Sequence, residues 1–350
     1  MRRTTTILLL LCLNLGLWAH TYVDSSVLGE GNFVKLQVPS TGVYSISYDQ
    51  IKAWGLNPDS VRLLGYGGNL LTQDFTKPPI DDVPSVPFCM YTGTDGKFSS
   101  GDYILFYAEG PQGWTWNGSY FNRTQNCYAD YGCYFLSDNA GEQRLLTYEE
   151  KIEDEDFNHV YTYTALQLHE QDLCNLIDVH HGKEGGGREW YGETMTSAKP
   201  KLTIPFTFTD VDTTQTLTCL ADAAGSSFDQ TTMQMTVCGM SRTAYIQALD
   251  ISRQEVKASS VSIRLATAQP QSNAIPVTLE YHAATTNDVA YLNFVTTQVP
   301  CFMHLRDNQL FIRNTDYVGD YVPSCYHLTG ADEYTQIWNM TDPQNLFHHL

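Results

Sequence analysis

A chain of 350 residues with 42% hydrophobic side chains is long enough for two ordinary cores. Its 39 acidic residues against 20 basic ones leave a formal charge of −19. So acidic a surface repels a phosphate backbone and excludes nucleic acid as a partner.

Residues 1–19 read as a secretory leader. Arg2 and Arg3 form a positive start, Ile7 to Leu13 an apolar stretch, and Ala19 a small residue at a cut before His20. The apolar stretch is too short to span a bilayer, and no later segment approaches the ~20 apolar residues of a membrane helix. The mature chain is expected beyond the inner membrane, soluble or peripheral. Cys12 falls in the leader, so eight of nine cysteines remain. An even number in an exported chain permits disulfides without fixing their pairing. Cys127 and Cys133 flank a short turn-like stretch and are the candidate bridge, with free buried thiols the alternative.

Past the leader, Val34, Leu36 and Val38 alternate with Lys35 and Gln37, as in a half-buried strand. Ser47 with Gln50 three residues on makes a capping box, and Gly55 followed by Asn57-Pro58 stops the helix, which predicts Tyr48–Trp54. Gly67-Gly68 and Asp95-Gly96 mark turns. Tyr103 to Ala108 is a continuous apolar run, read as a strand buried on both faces. Trp114, Trp116 and Tyr120, with Phe121, form an aromatic cluster in a Gly/Asn-rich loop. They are a candidate binding loop for a sugar or a protein, with core packing the alternative. The acidic run Glu149 to Asp156 lacks the carboxylate spacing and turn glycine of a calcium loop and reads as a solvated linker.

Beyond it, period-two alternation recurs at Leu202–Phe208, Met233–Val237, Val261–Leu265 and Ile275–Tyr281, with Pro205 and Pro276 pushing two strands toward sheet edges. The fold class is therefore all-β: two β-sandwich-like domains in series, 20–156 and 157–330, with a few short helices and a connecting stretch 331–350.

Chemistry-bearing motifs are sparse. Cys174 lies near His169, His180 and His181 in sequence, but proximity supplies neither a thiolate-holding geometry nor an oxyanion site. His169-Glu170 begins like a zinc-protease helix, yet position 173 is Leu rather than His. His159, His169, His180 and His181 are scattered without a closing metal spacing. No serine elbow, phosphate loop, dinucleotide fingerprint or glycosidase pair stands out. No catalytic residue, metal or cofactor is expected in this chain. One cluster does stand out: Arg188, Glu189, Trp190, Tyr191 and Glu193, set among glycines. It is either a local packing knot, with Arg188 paired to a glutamate and stacked on an aromatic ring, or an interface, since Arg, Trp and Tyr are the usual anchors.

Several stretches occur in an order that resembles one family. They are Gly42-Val43-Tyr44, Arg62 to Gly68, Asp95 to Pro111, Asn126 to Asp130 with Tyr134-Phe135-Leu136, Gly187 to Glu193, Ala290 to Phe294, and Ile337 to Pro343. In this order they resemble the PorU-type sortases of the type IX secretion system, a gingipain-like cysteine peptidase family. The resemblance implies a gingipain-prodomain-like unit at 20–156 and a caspase-like peptidase domain after Pro343, so the nucleophilic Cys and its His are expected beyond Leu350. It also implies a role as a non-catalytic accessory region of an enzyme that cleaves C-terminal sorting signals of secreted cargo and joins the cargo to surface lipopolysaccharide. The implied partners are the gingipain-like peptidase domain, type IX secretion components and cargo proteins. The implied place is the periplasm or the cell surface, peripheral to the outer membrane. From the residues alone, the competing expectation is a stand-alone exported β-sandwich that binds glycan or protein at the cell surface.

Overall fold

The computed structural model describes residues 22–77, 79–148, 156–176, 188–252, 256–319 and 321–349. The expectations for Ala19, His20, His180, His181 and most of the acidic run fall outside these residues. In chain order the first elements are β1 (Phe33–Val38), β2 (Gly42–Ser47), α1 (Tyr48–Ala53), β3 (Arg62–Gly67), β4 (Cys89–Tyr91) and β5 (Tyr103–Ala108). Then come β6 (Gln112–Trp116), β7 (Phe121–Gln125), β8 (Gly132–Ser137), β9 (Thr147–Tyr148), β10 (Asn158–Val160), β11 (Thr162–Glu170) and β12 (Thr194–Thr196). The chain continues through β13 (Lys201–Thr207), β14 (Leu217–Ser226), β15 (Thr231–Val237), β16 (Met240–Ile246), β17 (Ser259–Ala268), β18 (Ala274–His282) and β19 (Val289–Phe302). Short strands β20 (Ser324–Tyr326), β21 (Ile337–Asn339) and β22 (Phe347–His349) close it. Among the described residues no helix is long and apolar enough to cross a membrane.

Two compact units emerge, and neither is one continuous segment. The first takes the described residues up to Pro111, then Ala129–Leu146 and Met340–Leu346. The second takes Gln112–Tyr128, Thr147–Asn339 and the last strand. The serial boundaries 20–156 and 157–330 therefore give way to an exchange: the β6–β7 hairpin belongs to the second unit, and a short C-terminal piece belongs to the first.

The first unit has two three-stranded sheets, β1-β8-β3 and β2-β5-β4, which share a core including Leu63, Phe106, Tyr134 and Leu136. Helix α1 forms where the sequence signals it. Ser47 Oγ accepts from the Gln50 amide, and Gln50 Oε1 accepts from the Ser47 amide, satisfying two helix-end donors reciprocally. β5 departs from expectation. It is central in its sheet, but Ile104, Phe106 and Ala108 are buried while Tyr103, Leu105 and Tyr107 are half-buried. Its apolar run is an alternation written in aromatic and aliphatic residues.

The second unit is a β-sandwich. One sheet has the order β11-β19-β14-β17, with β12 also paired to β19, and the other has the order β13-β18-β15-β16. Alternate residues of both, among them Ile204, Phe206, Met235, Ile263, Leu279 and Val295, fill the space between them. Truncating one such fully buried aliphatic to Ala costs about 2–5 kcal/mol. Of the two prolines expected to mark edge strands, Pro205 and Pro276, only Pro205 lies on one. β18 is internal, and Pro276 is tolerated because it faces Pro205 on one side while β15 ends at Val237, opposite Val277, on the other.

Candidate functional site

The five-stranded sheet has a second face, turned away from the sandwich core. Because strand side chains alternate, the residues that put Val295, Val299 and Cys301 into the core put Phe294, Thr296 and Gln298 on this outer face. Leu166, Leu168 and Glu170 of β11 lie opposite them, and Leu220, Asp222, Ser262 and Arg264 continue the face across β14 and β17. A bulge interrupts it. Asp222 pairs with Phe294 and Ala223 with Leu292, which leaves Asn293 unopposed and re-aims its side chain.

The hairpin β6–β7 covers part of this face. Its turn is set by Asn117, whose Oδ1 accepts from the amides of Ser119 and Tyr120, and by Gly118 at φ +90°, a left-handed conformation natural to glycine. Gln298 holds the hairpin by its backbone: the Phe121 amide donates to Oε1 at 2.8 Å and Nε2 donates to the Phe121 carbonyl at 2.7 Å. The aromatic residues expected in a binding loop thus lie in a paired hairpin. Trp116 tilts onto Phe121 at 5.0 Å, and the Arg264 guanidinium sits 4.7 Å over the Tyr120 ring. Trp114 is half-buried, opposite Arg123.

Arg123 is the charged centre of this cover. Its Nη2 meets Glu170 Oε1 at 2.9 Å, its guanidinium lies 4.2 Å over the Phe294 ring, and it reaches Asn293 Oδ1 at 3.4 Å. Asn293 Nδ2 donates to Asp222 Oδ1 at 3.0 Å, and the Ser262 hydroxyl donates to the other Asp222 oxygen. Arg123 Nε and Glu170 Oε2 are buried without a hydrogen-bond partner. Burial pushes the Glu170 carboxyl up to about 6, with Arg123 opposing the rise and Asp172, Glu189 and Asp222 adding to it.

The Arg188–Glu193 cluster is divided by the sheet. Tyr191 forms an isolated bridge with Cys174 and is 1% exposed, packed with Ala224 and Ala258, whereas Trp190 is 44% exposed and Leu173, across the bridge, is 66% exposed. Arg188 is also exposed. Burial and the nearby Glu189 push the Tyr191 phenol well above its ordinary value. Glu193 pairs with His169, Oε1 to Nε2 at 2.7 Å. His169 is thus engaged by a carboxylate, and Cys174 packs beside Tyr191 and Leu176 with its thiol pushed up by desolvation, away from the thiolate a nucleophile needs. The Cys127–Cys133 bridge is not formed. Both thiols are free, Cys133 lying within β8 opposite Gln37 and Cys127 in the turn after β7.

A second constellation was not anticipated. Among the described residues, His159 belongs to a three-donor group: its Nδ1 lies 2.7 Å from His327 Nε2, and Cys325 joins them, all three ligand atoms within 4.8 Å of one another. The local signal was Cys325-Tyr326-His327, since residues two apart on a strand share a face. Its partner lies 168 residues earlier.

No family model matches the chain, and no curated protein matches it in sequence. Among solved structures, the crystal structure of dimeric latent PorU from Porphyromonas gingivalis aligns with a TM-score of 0.69 at 23% identity, over 83% of this chain and 26% of PorU. The chain has a PorU-like fold. It spans about a quarter of PorU's length. Carbohydrate-binding modules align much more loosely. The CBM36-1 domain of a xylanase from the hindgut metagenome of Trinervitermes trinervoides gives 0.23 at 10% identity, over 39% of this chain and 94% of that domain. A CBM36 module in complex with calcium and xylotriose gives 0.22 at 9% identity, over 39% of this chain and 98% of that module. Scores of that size carry no argument about glycans.

Proposed function

We propose that this chain acts as the non-catalytic accessory region of a PorU-type sortase in type IX secretion. In this reading it is exported, lies at the periplasmic or outer surface of the outer membrane, and seats a gingipain-like peptidase domain that processes cargo. The observation that carries the reading is the PorU-like fold over 83% of the chain. The ordered sequence stretches support it independently, because they include Arg188, Trp190 and Tyr191. Within that cluster the chemistry of docking is divided: Tyr191 anchors inward, while Trp190 and Leu173 offer exposed apolar surface beside the exposed Arg188. Such residues are the usual anchors of a desolvated interface. The test is calorimetric titration of the purified protein with a separately expressed PorU-type peptidase domain. Saturable one-to-one association is the expected result. An absence of binding heat at every concentration reached, with both partners folded, overturns the reading.

A further inference from the structure

The strongest unassigned chemistry in the molecule is the meeting of His159, Cys325 and His327. Strands β10 and β20 run parallel, with His159 directly beside Cys325. Adjacent residues of paired strands point to one side, and so do residues two apart on one strand. Strand register therefore brings His159 and Cys325 to one face, and His327, one residue past β20, meets them there. The backbone is pinned around them: the His327 amide donates to the Val160 carbonyl at 2.9 Å, and the Asn158 amide to the Pro323 carbonyl at 2.9 Å. Tyr161 stacks on the His327 ring at 4.3 Å and 11°, which limits its rotation.

We propose that His159, Cys325 and His327 form a binding site for a borderline-soft transition metal, zinc(II) foremost, with a fourth position open to water or an external donor. Two imidazoles and one thiolate are the donor set that zinc and copper favour over calcium or magnesium. Ring nitrogens 2.7 Å apart share one N–H proton. On a tetrahedral zinc ion, with Zn–N near 2.0–2.1 Å, two nitrogens stand about 3.3 Å apart. A widening of about 0.6 Å therefore exchanges the shared proton for the metal. That proton moves to the far nitrogen of its own ring, and the Cys325 thiol releases its proton to solvent as the thiolate binds. The ion would then clip the strand at 158–160 to the segment around 324–327, far apart in sequence.

The test uses the full chain, stripped of metal with a chelator and titrated with cobalt(II). One equivalent should bring up a thiolate-to-cobalt charge-transfer band in the near ultraviolet and tetrahedral ligand-field bands in the red, and one equivalent of zinc(II) should bleach both. Cys325→Ser should lose the charge-transfer band, and His327→Ala should bind cobalt roughly 100-fold more weakly or worse. No such bands in the wild type, or bands that persist in Cys325→Ser, overturn the proposal. X-ray absorption of the zinc-loaded wild type gives a readout independent of variant folding. One sulfur and two imidazole scatterers support the site, and an oxygen-only shell refutes it.

Discussion

Arg123 and Glu170 show how much a single residue pair decides here. Both side chains are largely withdrawn from water, so their mutual attraction offsets a desolvation cost instead of adding free stability. Arg123→Met leaves Glu170 buried and unpaired, and a loss of about 3 kcal/mol at pH 8 is expected by chemical denaturation. The loss should shrink at pH 5, where the carboxyl can take a proton. Arg123→Met/Glu170→Met should return to within about 1 kcal/mol of the wild type. The wild type carries its own pH signature. Burial raises the Glu170 carboxyl to about 6 in the fold, so the folded state holds that proton more tightly than the unfolded chain. The stability linked to it is fully present below the unfolded value, about 4.3, and is lost as pH rises through 6. The stability difference between wild type and Glu170→Gln should change across that window; a flat difference rules the idea out. None of this pairing was legible in the sequence, where Arg123 sits in an unremarkable Asn-Arg-Thr and its partners lie far along the chain.

At the scale of elements, local patterns were well written and cross-chain contacts were not. The strands at 34–38, 202–207, 233–237, 261–265 and 275–281 follow their period-two alternation, and α1 starts at its capping box. Those signals act over a few residues, where backbone sterics and burial dominate. Trp114, Trp116 and Tyr120 were read as a loop because Asn117-Gly118 punctuates them. The same dipeptide makes a hairpin turn once a sheet face lies beneath. What fixes that hairpin is Gln298, 177 residues away from Phe121. Gln298→Leu removes both hydrogen bonds and strands a buried amide and a buried carbonyl. It should cost about 2–4 kcal/mol in global stability. Gln298→Glu at low pH, where the acid can still donate once and accept once, should recover part of the loss. Equal destabilisation by Leu and protonated Glu would show that packing, not hydrogen bonding, holds the hairpin.

Across the whole molecule the chain is interleaved, since the second unit borrows Gln112–Tyr128 and the first takes back Met340–Leu346. Composition placed a boundary in the acidic run, but composition marks solvation and cannot report which surface a hairpin covers. Hydrogen exchange should therefore group the amides of 112–125 with β19 and not with β8. Exchange of the hairpin in step with β8 would contradict that grouping. The central claim is that a PorU-like fold seats a peptidase domain through the outward half of the Arg188–Glu193 cluster. It is tested most directly by titrating the PorU-type peptidase domain into wild type and Trp190→Ala, with thermal unfolding of each measured in parallel. Because Trp190 is exposed and Tyr191 is the buried member, Trp190→Ala should weaken binding by roughly thirtyfold, about 2 kcal/mol, while the melting temperature stays unchanged. Undiminished affinity in Trp190→Ala, or a loss of affinity accompanied by a large fall in melting temperature, would contradict the account.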